Sequence, residues 1–270
     1  MSERSRSAAS SLGTAPGEPS SGSAAGHRRS VRSEVVWRLV HSVLDEQAAT
    51  TSREVLDVVD AGGGTGTLAV PIARLGHRVT VVDPSPDSLA ALERRAAEGE
   101  VTDHVRAVQG DAAGLREVVG AGSVDVVLCH SVLEVVDDPA TALEGMAAIL
   151  RPSGVLSLLA PNRYAVVLAK VLAGHLAEAR AALTDPDGRW GTGDPVPRRF
   201  TADQLRETVE GVGLEVLAEH GVRVFTDLVP GAIADEPGAA AAVLDLEAAA
   251  AQDPTFRALA TQIHLLARRR

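Results

Sequence analysis

Four glycines in five positions, Gly62, Gly63, Gly64 and Gly66, follow an apolar run that ends in Asp60. Glycines at this density let a backbone take positive φ and approach a ligand with no Cβ in the way, while amides at the start of the next helix face whatever is bound. Three chemistries compete for the loop. Cradling a triphosphate calls for G-x-x-x-x-G-K-[ST], and no lysine follows these glycines, which excludes it. The dinucleotide fingerprint G-x-G-x-x-[GA] maps onto Gly64, Gly66 and Ala69, with Asp83 at the end of the next apolar run to take ribose hydroxyls. The third pattern, D-x-G-x-G-x-G over Asp60, Gly62, Gly64 and Gly66, puts the acid ahead of the glycines. That order suits a ligand with an amino-acid tail and no pyrophosphate.

Further along lie His130, Glu134, Asp137 and Asp138, close behind another apolar run. His130 points toward a site by position, and a hydrogen-bonded structural histidine is the competing reading. Glu134 and the two aspartates could line an acceptor site, whereas Asp137 and Asp138 more simply open the next helix, where negative charge is favoured. His130 and Glu134 are the candidate proton acceptors if a hydroxyl or amine is the substrate. Asp57, before Asp60 in the same run, is read as facing the same side without a role. Cys129 inside VDVVLC reads as a small core residue. No His, Cys and Glu set has metal-ligand spacing, so no metal is expected.

The elements that must hold these residues follow from periodicity. Apolar positions from Ser33 to Gln47 recur at helical spacing, with Ser33 as a plausible cap. Strand EVLDVVDA, a helix around LAVPIARL, strand RVTVVD, helix SLAALERRAAE, strand VRAVQGD, a short helix at GLREVV, strand VDVVLCH, helix PATALEGMAAILR and strand GVLSLLA then alternate. Val- and Leu-rich strands alternating with helices predict an α/β fold: a doubly wound, mostly parallel sheet with helices on both faces. A long apolar helix from Tyr164 to Leu183 follows, then TDPDGRWGTGDPVPRR, a loop around Trp190 long enough to be a lid. Helix ADQLRETVEGV, strand LEVLAEHGVRVF, a helix near 238 to 250 and the run IHLLARR close the chain, bringing the expected sheet to seven strands.

Composition sets outer limits. The chain has 270 residues, 45% of them apolar, which suffices for one core. Residues 1–26, rich in Ser, Ala, Gly and Pro, are expected to be a disordered tail, with one domain over 27–270 carrying a helix-loop insertion near 163–199. The absence of an apolar leader or spanning run predicts a cytoplasmic protein, a monomer by default. A net charge of −10 argues against a uniformly basic nucleic-acid footprint.

Taken together, D-x-G-x-G-x-G, RVTVVD, QGDA and DVVLCHSVLEVVDDP with LRPSGVLSLLAPN, in that order, resemble the class I S-adenosylmethionine-dependent methyltransferases of Rossmann-like fold. The resemblance implies S-adenosyl-L-methionine as cofactor, its methionine moiety against the loop with Asp60 ordering that loop or bridging through water to the ammonium. It implies Asp83 on the ribose diol and Asp111 with Ala112 flanking adenine. The blocks VRSEVVW, GHRVTVVDPSPDSL and GVRVFTDLVPG narrow the resemblance to the bacterial tRNA 5-carboxymethoxyuridine methyltransferase family, from about His27 onward. That family places cofactor contacts at the positions of Arg32, Gly62, Gly63, Asp83 and His130. It implies a carboxylate acceptor in tRNA, for which Arg163, Arg199 and Arg223 are the candidate orienting cations. Two departures stand against tRNA: the lysine-rich segment of the family is replaced by TDPDGRWGTGDPVPRR, and no aromatic residue precedes Asn162. A small-molecule acceptor, or a catalytically silent cofactor-binding module, are the alternatives.

Overall fold

The structure, a computed structural model, describes residues 24–234 and 236–270. The expected tail lies outside the described residues up to residue 23. The first helix, α1 (Ala24–Thr51), already includes its last three positions. Ser33 therefore sits inside α1 and is not its cap.

The chain alternates as the apolar pattern requires: β1 (Asp57–Ala61), α2 (Ala69–Arg74), β2 (Arg78–Asp83), α3 (Pro86–Glu98), β3 (Val105–Gln109), α4 (Leu115–Val119), β4 (Val124–His130), α5 (Pro139–Ile149) and β5 (Leu150–Pro161). Next come α6 (Arg163–Leu172), α7 (Leu176–Thr184), α8 (Ala202–Gly211), β6 (Leu214–Val222), α9 (Gly231–Ala234), α10 (Ala239–Ala250), α11 (Pro254–Leu259) and β7 (Gln262–Arg269). The seven strands form one sheet in the order β3-β2-β1-β4-β5-β7-β6, in which β7 alone runs antiparallel to its neighbours. The order reverses between β1 and β4, where the carboxyl ends of two strands diverge and leave a crevice.

Strand alternation divides the core in two. Val59, Ala61, Val127, Cys129, Leu156 and Leu158 pack with α4, α5 and α8 on one face. Val58, Val126, Leu128 and Val155 pack with α1, α2 and α3 on the other. Cys129 is fully buried in this core, and burial pushes its thiol pKa up, which leaves it protonated and inert. The same alternation corrects the reading of Asp57. It lies three residues before Asp60, so the two side chains leave β1 on opposite faces. Asp57 instead closes an ion cluster at the amino end of the sheet, bonded to Arg78 at 2.7 Å and Arg151 at 2.9 Å. Arg151 was expected at the end of a helix; β5 begins at Leu150, and the guanidinium also reaches Asp125 at 2.7 Å.

The single apolar helix expected from Tyr164 to Leu183 is two helices. Gly174 between them takes φ +79°, and the His175 amide closes back on the Lys170 carbonyl at 2.8 Å. A left-handed glycine ends α6 and lets α7 fold back against it. The loop around Trp190 is pinned to this pair. The Lys170 ammonium lies 3.6 Å over the indole ring, and the Trp190 amide donates to Asp194 at 3.0 Å.

Candidate active site

Three cavities meet at the carboxyl ends of β1, β4 and β5. The first, of about 560 Å³, is walled by Gly62, Val82, Asp83, Asp111, Ala112 and Val132 among others. The second, of about 580 Å³, lies beneath α1 and is walled by Arg32, Trp37, Thr67, His130, Leu159 and Arg223. Ser131 borders both. The third, of about 460 Å³, is walled by Glu134, Asn162, Val166, Arg199, Asp227 and Leu228; Arg223 and Gln262 belong to it and to the second.

The glycine loop is shaped by close packing. A Cβ on Gly62, at φ +71°, would lie 2.5 Å from a methyl of Val132, and one on Gly63 would lie 2.3 Å from a carboxyl oxygen of Asp60. No larger residue fits either position, so the loop hugs β4 and leaves the first cavity open above it. Asp83 anchors the far side: one oxygen accepts from the Gly64 amide at 3.0 Å, the other from the Ser85 amide at 2.9 Å. Asp111 accepts from the amides of Ala113 and Gly114 at 3.0 and 2.8 Å through one oxygen, Oδ1. Ala112 is buried against the same cavity.

Asp60 is 3% exposed, and its carboxyl pKa is raised to about 7 by burial first and by the nearby Asp83 charge second. His130 is held neutral, its pKa pushed down to about 4 by burial. Its Nε2 meets Ser157 Oγ at 2.9 Å, while its Nδ1 is buried without a partner. Arg32 reaches across the fold to Asp227, 2.7 Å from Nε to Oδ1. Asp227 also holds the Arg223 guanidinium and, at 3.2 Å, the Thr261 hydroxyl. Gln262 donates to Ser131 Oγ at 3.3 Å. Ser131 and Arg223 both carry positive φ, +57° and +61°, conformations that non-glycine residues adopt at a cost of about 1–3 kcal/mol and that concentrate at functional sites.

The structure therefore brings Gly62, Asp83, Asp111 and Ala112 to the first cavity and Arg32 and His130 to the adjoining second, while Asp60 is buried beneath the loop against Gly63. Gly63, Gly64 and Gly66 shape that loop. Glu134 is set apart in the third cavity, where burial raises its carboxyl pKa and its Oε2 has no partner. Asp138 caps α5, accepting from Ala140 at 2.9 Å, although it and Asp137 also border the first cavity. Of the three arginines, Arg199 is committed to Asp194 by two bonds at 2.6 and 2.9 Å, and Arg163 bonds the Pro186 carbonyl. Arg223 alone of the three faces both the second and the third cavity. Asp227, Gln262, Ser131 and Trp37 were not singled out from the sequence; Asp227 lay in the block GVRVFTDLVPG without a local signal. Among the described residues no helix is long and apolar enough to cross a membrane, and no cluster of three or more His, Cys, Asp or Glu could hold a metal.

The crevice suits a nucleoside with a charged tail: a carboxylate and apolar walls in the first cavity, then a guanidinium and an orphaned imidazole nitrogen in the second. Comparison with known proteins finds methyltransferases. Residues 59–156 match the family model described as a methyltransferase domain. The tRNA 5-carboxymethoxyuridine methyltransferase of Escherichia coli K12 is 29% identical over 239 residues, 88% of each chain. The ubiquinone biosynthesis O-methyltransferase of Caulobacter vibrioides is 37% identical over 131 residues, 48% of this chain and 51% of that one. Among solved structures, magnesium protoporphyrin IX methyltransferase from Synechocystis PCC 6803, with bound SAH, superposes with a TM-score of 0.55 at 18% identity, covering 91% of this chain and 84% of the other.

Proposed function

The chain is a class I S-adenosylmethionine-dependent methyltransferase, and from that premise we propose that its acceptor is a carboxylate, that of 5-carboxymethoxyuridine in tRNA, methylated in the cytoplasm. The observation that carries this reading is Arg223, the candidate cation that faces both the second cavity and the third, with a buried Nε that has no partner. Similarity to the tRNA enzyme over 88% of both chains, well beyond the span of the methyltransferase-domain match, supports it.

When bound, S-adenosylmethionine supplies a methyl group already attached to a good leaving group, so catalysis is a matter of alignment and water exclusion. Asp83 accepts from the ribose hydroxyls, Asp111 and Ala112 flank the adenine, and Arg32 takes the carboxylate of the amino-acid tail. Asp60 orders the loop beneath the ammonium. Arg223 orients the acceptor carboxylate, which is an anion at neutral pH and needs no general base. Asp227 holds Arg32 and Arg223 in register, so the two binding sites share one anchor.

A second reading, a small carboxylate or hydroxyl metabolite, is favoured by the paired cations of the insertion. Lys170 is bonded to Glu178 at 2.5 Å, Arg198 to Asp187 at 3.4 Å, and Arg199 to Asp194. Each pair neutralises a charge that tRNA phosphates would otherwise recruit. If the hydroxyl version holds, His130 and Glu134 are the residues to take its proton. Mass analysis of tRNA nucleosides from a deletion strain decides between them: accumulation of unmethylated 5-carboxymethoxyuridine, restored to the ester by the wild-type gene and not by Arg223→Ala, supports tRNA. An unchanged nucleoside profile, with no salt-sensitive tRNA binding in gel shifts, moves the acceptor to a small molecule.

A further inference from the structure

Four polar side chains cross the sheet beneath α1 from the second cavity to its far edge. His130 Nε2 on β4 lies 2.9 Å from Ser157 Oγ on β5, and Ser157 Oγ lies 2.9 Å from His264 Nε2 on β7. His264 Nδ1 lies 3.1 Å from His220 Nδ1 on β6, and His220 Nε2 lies 3.5 Å from the side-chain amide of the exposed Gln252. The four strands are consecutive neighbours in the sheet, and His220 sits directly opposite His264 in the register. Ser157 and His264 are fully buried. Burial lowers the pKa of all three histidines, with mutual repulsion adding to the effect on His264, so the row is neutral. Nothing in the chemistry derived above uses Ser157, His264 or His220, yet interior polar groups are retained at a cost unless they are paired.

A neutral imidazole donates from one nitrogen and accepts at the other, and a serine hydroxyl donates only once. If Ser157 accepted from both imidazoles its own proton would have no partner in the row, so with that proton used every link runs in the same direction, and the row has two arrangements. In one, His130 Nε2–H donates to Ser157, Ser157 to His264 Nε2, and His264 Nδ1–H to His220 Nδ1. His220 Nε2–H then faces the amide of Gln252, which can turn its oxygen inward. This leaves His130 Nδ1 as a bare lone pair at the second cavity. The reverse arrangement leaves an N–H there. A buried N–H without an acceptor is the rarer defect, and a cationic ligand group needs the lone pair.

We propose that Ser157, His264 and His220 are positioning residues that lock His130 into the tautomer with a bare Nδ1, which accepts a hydrogen bond from the ammonium of the cofactor's amino-acid tail. The proposal rests on placing that tail in the second cavity beside Arg32. The lock acts through three residues that touch no ligand and extends to the opposite edge of the sheet, which explains a polar row kept inside an otherwise apolar layer. Such rows hold a donor–acceptor pattern more firmly than one bond does, since reversing one link requires reversing all.

The test pairs two ligands in calorimetry on the full chain: S-adenosylhomocysteine, which carries the amino-acid tail, and 5′-methylthioadenosine, which lacks it. Ser157→Ala breaks the row with little change of volume. It is expected to weaken S-adenosylhomocysteine about tenfold, the scale of one charge-assisted hydrogen bond, and to leave 5′-methylthioadenosine within about twofold. Ser157→Thr, which keeps a hydroxyl, restores the tail-dependent affinity. A general packing defect would weaken both ligands equally, and that result, or no loss for either, overturns the lock. Nitrogen NMR of histidine-labelled wild-type protein reads the tautomer without any variant: His130 protonated at Nε2 supports the proposal, and protonation at Nδ1 overturns it. Arg32→Ala separates the premise from the lock. If it spares S-adenosylhomocysteine, the tail is placed wrongly; if it weakens S-adenosylhomocysteine while Ser157→Ala does not, the lock alone fails.

Discussion

Replacing Asp60 by asparagine should make the ligand-free protein more stable in alkaline solution and less stable nowhere else. In the folded chain the Asp60 carboxyl pKa moves from an ordinary 3.8 to about 7, because the side chain is buried and faces the Asp83 charge. Between those two values the folded state holds a proton that the unfolded chain has lost. The folded state binds more protons there, so stability falls as pH rises through that window and levels off above it. A displacement of this size corresponds to at most about 4 kcal/mol, and water entering the crevice reduces it, so about 2–4 kcal/mol is the expected range. Asparagine matches the protonated acid in shape and charge. At pH 4 Asp60→Asn should therefore unfold in urea close to the wild type, and at pH 8.5 it should be more stable by about 2–4 kcal/mol. Urea titrations followed by circular dichroism at both pH values measure this directly. Parallel pH profiles for the two proteins would refute the reasoning, since they would mean that Asp60 titrates like a solvated carboxylate. Ligand should reverse the preference: an ammonium near Asp60 draws out the proton, so binding of S-adenosylhomocysteine at pH 6 should release protons from the wild type and none from the variant, read from calorimetry in buffers of different ionisation enthalpy.

Other changes test neighbouring parts of the site. Asp83→Ala removes the anchor of Gly64 and Ser85 and the proposed acceptor for the ribose hydroxyls, and should lower S-adenosylhomocysteine affinity by about 100-fold in calorimetry. Gly62→Ala places a Cβ 2.5 Å from Val132 at a φ of +71°, which should cost about 1–3 kcal/mol in urea unfolding; Val132→Ala beside it should recover the steric part and not the backbone part. Glu247, 2% exposed, accepts from the amides of Val224, Phe225 and Thr226 and from the Thr226 hydroxyl. Glu247→Leu leaves those donors unpaired and should cost about 3 kcal/mol or more, with acceptor turnover falling further than cofactor affinity because the Arg223 turn is what it holds.

What could be read from the sequence follows from how far apart the cooperating residues lie. Asp60 to Gly66, Asp83 and Asp111 each stand directly behind a Val-rich run, and in a parallel sheet the carboxyl ends of adjacent strands converge on one crevice. The doubly wound, mostly parallel sheet and the loops at its carboxyl edge were therefore legible from local blocks. The antiparallel direction of β7 was not, since alternation says where side chains face and not which way the strand runs. The break at Gly174 was hidden because the apolar spacing continues on both sides of it, and an isolated glycine does not by itself end a helical pattern. The polar row was invisible for a different reason: nothing local links His130, Ser157, His220 and His264, and only the pairing of β4, β5, β7 and β6 joins them.

Arg32 and Asp227 are separated by 195 positions and Ser131 and Gln262 by 131, so no motif contains either pair. The two halves of the site are thus encoded differently. The nucleoside part of the proposed cofactor site is built from short blocks that keep their meaning in isolation, whereas the second cavity, which holds the proposed tail contacts Arg32 and His130 beside Arg223, is assembled from α1, the end of β4, the turn after β6 and the start of β7. A chain can retain the first half intact while changing the second. Residues that set substrate choice should therefore lie where the long-range contacts close, and Arg223 is placed there by a strained backbone, a carboxylate shared with Arg32 and a turn held by Glu247. Its exchange for a neutral side chain should alter which acceptor is methylated before it alters how the cofactor is held.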